Sequence, residues 1–128
     1  MELQTIFNQV CQHLVRQGRA AMEHNTGGSC RYRGACGTRC AVGYLIADKH
    51  YDNHIEGGGM ARESVQDVVI ATIGDISDEA CRLLAACQNA HDVQLADVSR
   101  YEWARRMIYI AEVRDLIVPK QVRELARG

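Results

Sequence analysis

The sequence predicts a mainly α fold (α+β): four to five helices packed around one small antiparallel β-hairpin. Three observations carry that expectation. Apolar residues recur at helical spacing both before and after the centre of the chain. The stretch from Ser29 to Asp52 instead combines alternating residues with turn-forming glycines, and holds three of the six cysteines. At 128 residues with 47% hydrophobic content, the chain suits one compact domain, residues 1–128, with a single modest core.

The elements follow in order. From Leu3 to Ala21, the residues Leu3, Ile6, Phe7, Val10, Cys11, Leu14 and Val15 repeat as one face of a helix, while Gln4, Gln9, Gln12, Arg16 and Arg19 fill the other. His24 to Gly28 ends it with turn-favouring residues. Cys30-Arg31-Tyr32-Arg33 alternates like a strand, Gly34 to Gly37 supplies a turn, and Thr38 to Val42 returns as the second strand. Gly43 to Ile46 reads either as an extension of that strand or as a helical turn leading to Asp48.

Asp52 to Gly59, with three consecutive glycines, is on composition the most costly piece to order. Met60 to Ile73 regains helical spacing, although its valines and isoleucines keep a strand open. Gly74 ends it. Ser77-Asp78-Glu79 is an N-terminal helix signal ahead of Ala80 to Cys87, and His91-Asp92 closes that helix. Ser99, with Glu102 three residues on, opens the longest helix, which runs to about Leu116. Its Trp103, Met107, Ile110 and either Leu116 or Ile117 face the core. Pro119 closes this helix or opens the last one, Lys120 to Ala126.

A net charge of −1 argues against both a bulk nucleic-acid binder and an acidic mimic of nucleic acid, while leaving room for a local basic patch. No segment approaches the length of a membrane span, and the N-terminal stretch has an acidic residue where a signal peptide carries a basic one. The expectation is a cytoplasmic chain whose cysteines are thiols, with Cys11, Cys81 and Cys87 behaving as small apolar residues.

The central run has a wider likeness. Cys30-x-Tyr32-Arg33, a glycine-containing turn, and Cys40-Ala41-Val42-Gly43-x-Leu45-Ile46, followed by Asp48 and Tyr51-Asp52, resembles a family of uncharacterised small proteins encoded in phage and prophage genomes. The likeness extends from the amphipathic first helix to the later helix ending in His91-Asp92. Ala47 stands where family members often have proline, and the glycine triplet and C-terminal helices are particular to this chain. The resemblance implies a phage or mobile-element setting, in which small proteins often act by binding a host factor in the host cytoplasm. It assigns no activity and no catalytic residue.

Four groups of side chains could carry chemistry. Cys30, Cys36 and Cys40, with His24, His50 or His54, offer zinc a Cys3His set, against a cysteine spacing unlike the usual zinc motifs. Otherwise they are buried structural thiols and the chain needs no cofactor. Cys40, near Arg39 and ahead of a potential helical turn, could be an activated nucleophile with His91 as base. Asp92 or Asn89 would orient His91, but Asp92 points about 100° away from it on a helix and orients it poorly, and the plain alternative for His91 is favourable interaction with a helix C-terminus. Arg31, Arg33 and Arg39, with Tyr32 and Tyr44, could grip phosphates or an acidic protein surface; Arg16, Arg19, Arg105 and Arg106 would extend that face. The bland alternative is a solvated face paired with Asp48, Asp52 and Glu56. Finally, the run from Tyr101 to Ile110 carries more apolar surface than one buried stripe needs, which marks Tyr101 and Tyr109 for a homodimer or partner contact.

The leading expectation is a non-enzymatic phage-type interaction protein that binds, and inhibits, a host protein or nucleoprotein machine, with an anti-CRISPR-like inhibitor of host defence as the form the setting suggests. The partner face is Arg31, Tyr32, Arg33, Arg39 and Tyr44. The alternatives are a small cysteine-dependent enzyme using Cys40 and His91, and a zinc-stabilised binding module.

Overall fold

The computed structural model describes residues 2–17, 41–52, 55–56, 59–60, 62–91 and 100–127. Six α-helices run through these residues: α1 (Leu3–Gln17), α2 (Ala41–Tyr44), α3 (Glu63–Ile73), α4 (Asp78–His91), α5 (Arg100–Glu112) and α6 (Lys120–Leu125), with a 3-10 turn at Asp48–His50. Among the described residues there is no strand.

That corrects the expected β-hairpin core. Ala41 and Val42, placed at the end of its second strand, open α2 instead, and the open alternative at Gly43 to Ile46 resolves as helix and turn. The physical reason is tertiary. The Val42 N–H donates to Gln88 Oε1 on α4 at 3.1 Å, and the Ala47 N–H donates to Thr72 Oγ1 on α3 at 3.0 Å. Side chains thereby take the two donors that a sheet would have supplied with carbonyls. Helical spacing then turns Val42, Leu45 and Ile46 together into the core. The remainder of the expected hairpin, residues 30–40, lies outside the described residues.

Elsewhere local chemistry accounts for the boundaries. On α1 the buried residues are Ile6, Phe7, Val10, Cys11 and Leu14, the stripe that the spacing predicts. The end of that helix expected at Ala21 lies outside the described residues. Helix α3 begins at Glu63 rather than Met60; Met60 is buried in the preceding turn, and its carbonyl accepts a hydrogen bond from Gln66 Nε2 at 2.8 Å. Val65 and Val69 face inward, so burial outweighs the modest helix propensity of valine. Gly74 stops the helix at φ 88°, a backbone geometry that suits glycine. Ser77 opens α4 as expected, its Oγ accepting from the Ala80 N–H at 3.0 Å.

Helix α5 is shorter than the sequence suggests. It closes at Glu112 in a Schellman turn: Asp115 takes φ 55° and the Leu116 N–H donates to the Ala111 carbonyl at 2.9 Å. Asp is among the few non-glycine residues that tolerate this region. Pro119 stands at the N-cap of α6, and so opens the last helix rather than ending α5.

The buried residues form one cluster. Helix α4 packs on α1, α2 and α5, while α6 lies against α5 and α1. Gln4 adds a polar clasp: its amide donates to the Ile117 carbonyl and accepts from the Ile117 N–H, each at 2.8 Å. Ile55 is also buried in this cluster and the Tyr51 hydroxyl donates to Glu56 at 2.6 Å, so the glycine-rich stretch has fixed points. No helix among the described residues is long and apolar enough to cross a membrane.

Candidate functional site

Of the expected partner face, Tyr44 is the residue the structure places. Its ring stacks on His13 of α1, with centroids 4.3 Å apart and planes 8° from parallel, and the residue stays 38% exposed. The position follows from the clamp on α2. Val42, Leu45 and Ile46 are held inward, which turns Tyr44 outward against the flank of α1. A ring fixed in this way offers a flat face at low entropy cost, the property that makes tyrosine a frequent binding anchor. Arg31, Tyr32, Arg33 and Arg39 lie outside the described residues. Of the acidic residues that the bland reading paired with them, Glu56 accepts the Tyr51 hydroxyl.

The expected catalytic pair is not brought together on described ground. Cys40 lies outside it, and His91 is placed only as the last residue of α4, without a described side chain. All three described cysteines have thiols raised by burial. Burial pushes the Cys11 thiol up, with the neighbouring Cys87 adding to the effect. Burial likewise pushes up Cys87, against a smaller lowering by Arg114, and Cys81, where Asp78 adds to the rise. Thiols held in the protonated form are poor attacking groups. Cys11 and Cys87 therefore behave as the small apolar residues the helical pattern predicts, while Cys81 is only half-buried.

The expected zinc ligands Cys30, Cys36 and Cys40 also lie outside the described residues, and so do His24 and His54. His50, the described member of that set, sits in the 3-10 turn. Among the described residues no cluster of three or more His, Cys, Asp or Glu side chains is assembled.

No protein-family model, curated protein or solved structure matches this chain.

A second surface was partly legible. Tyr101 and Tyr109, marked as surplus apolar residues, stand outward on α5, and Tyr109 is 66% exposed. Val113 and Ile117 join them at 57% and 75%. Sequence reasoning passed over Val113 and allowed Ile117 a place in the core. The missed signal is helical spacing itself, since Tyr101 and Tyr109 fall on the α5 face opposite Trp103 and Met107, and Val113 continues that spacing one residue past the helix.

Proposed function

We propose that the chain is a small, non-enzymatic interaction protein of phage or mobile-element type, which binds a host protein or nucleoprotein machine in the host cytoplasm and inhibits it. The observation that carries the reading is Tyr44, a surface aromatic whose orientation is already set by His13 before any partner arrives. It shares with Arg31, Tyr32, Arg33 and Arg39 the stretch that resembles phage-encoded proteins. Together these residues offer stacking and charge-assisted hydrogen bonds to an acidic or phosphate-bearing surface.

The test is capture from a host lysate followed by reconstitution with the purified captured component. Tyr44→Ala, and separately the triple change Arg31→Ala, Arg33→Ala, Arg39→Ala, should each weaken the reconstituted complex about tenfold or more. Cys40→Ser should leave it intact. Equal affinity of both variants and the unmodified chain would refute this face, and loss of function on Cys40→Ser alone would favour the cysteine-dependent enzyme.

A further inference from the structure

We propose that this chain forms a two-fold symmetric homodimer in which the outward face of α5 packs antiparallel on α5 of a second copy. Five large apolar or aromatic residues are exposed among the described residues, and four of them, Tyr101, Tyr109, Val113 and Ile117, fall in one stretch of the sequence. Such concentration marks an interface rather than scattered surface residues. Beside Tyr109 runs an open groove of about 560 Å³ between α4 and α5, floored by Ala86 and Ala90. Small side chains on the floor allow a second helix to come close.

Charge decides the occupant. Arg105 and Glu112 are seven residues apart on α5, two turns along the same flank, with Tyr109 between them. In an antiparallel pair related by a two-fold axis beside Tyr109, each Arg105 meets Glu112 of the second copy, and the pairing occurs twice. In a parallel pair each flank faces the opposite flank of the second copy, so Arg105 and Glu112, about two turns apart along the axis, do not meet. The antiparallel orientation is thus the one that brings these two opposite charges together across the axis.

Arg105 is already posed for the role. It donates to the Tyr101 hydroxyl at 3.0 Å, and its guanidinium lies 5.5 Å from the centroid of that ring, which holds the group over the face while other N–H donors are left for a carboxylate. On the other flank, Val113 of the second copy meets the aliphatic stems of Glu102 and Arg106. Their exposed pair, at 4.0 Å, contributes little by itself and need not be kept. The dimer is independent of the Tyr44 face: α4 packs on both α2 and α5, and neither proposal uses the residues of the other.

The test is sedimentation equilibrium on the full chain, with helix content followed by circular dichroism. The unmodified chain should run as a dimer. Arg105→Glu and Glu112→Arg, each of which places like charges together, should raise the dissociation constant about tenfold or more without changing helix content. The double variant Arg105→Glu, Glu112→Arg should regain the dimer. A monomeric unmodified chain would overturn the proposal. So would a dimer indifferent to the single reversals, or one that the double exchange fails to restore. Because all the changed residues are exposed, failure to fold does not confound the result.

Discussion

Helices α1 and α5 bury equally rich stripes and differ on the side turned to water. Each contributes five buried residues to the core. The exposed positions of α1 include Thr5, Gln12 and Arg16, whereas those of α5 include Tyr101 and Tyr109, continued by Val113 in the turn that follows. The inner stripe is what the fold requires of either helix. The outer face is free of that requirement, so aromatic and branched residues retained there point to a contact the isolated chain does not make.

The sharpest way to break this contrast is one truncation on each helix. Phe7→Ala, in the centre of the core, should cost about 3–5 kcal/mol of unfolding free energy. Tyr109→Ala should change the stability of the monomer by no more than about 0.5 kcal/mol while removing the dimer. Urea titration followed through Trp103, buried and the one tryptophan of the chain, measures the first quantity at concentrations low enough to keep the chain monomeric.

A pH series tests the inner side next. Cys11 on α1 and Cys87 on α4 both have thiols raised above the ordinary value of about 8.5 by burial. The folded chain therefore holds protons that the unfolded chain releases first. Their contribution to stability is complete below that ordinary value, erodes as the pH climbs above it, and is gone once the pH passes the folded values. The expected slope is a loss of about 1.4 kcal/mol per pH unit for each thiol. Melting curves between about pH 8 and pH 10 should show it, and Cys87→Ala should flatten it.

Two backbone positions sharpen the comparison further. Gly74→Ala places a side chain at φ 88° and should destabilise by more than about 1 kcal/mol, although nothing lies within 4 Å of the added carbon. The cost is conformational, not steric crowding by neighbours. Asp115→Gly, at φ 55°, should stabilise the end of α5 by about 0.5 kcal/mol, the smallest of these effects.

Much of the fold was legible because its signals are local. The stripe on α1, the Ser77 cap, the stop at Gly74 and the proline before α6 are all written within a few neighbouring residues. The misreading at Ala41 and Val42, and the choice left open at Gly43 to Ile46, have the opposite origin. A short apolar run carries little periodicity, and what makes it helical is Gln88, 46 positions away, and Thr72, 25 positions from Ala47. The end of α5 was overextended because its left-handed residue is aspartate, whereas the expected stop signal is glycine. For the candidate site, Tyr44 could be named from sequence, but His13, which fixes its ring, belongs to another helix and was not foreseeable. The surplus at Tyr101 and Tyr109 was visible as composition; its continuation to Val113 and Ile117 depended on where α5 stops.

The proposed dimer contact uses the outer face of α5 and leaves Thr5, Gln12 and Arg16 on α1 outside it. Amide spectra of isotopically labelled protein, recorded over a dilution series, test it most directly. The dimer should give concentration-dependent shifts and broadening from Tyr101 through α5 to Val113, with the amides of Thr5, Gln12 and Arg16 on α1 unmoved. Shifts centred on α1, or spectra unchanged across the series, would contradict it.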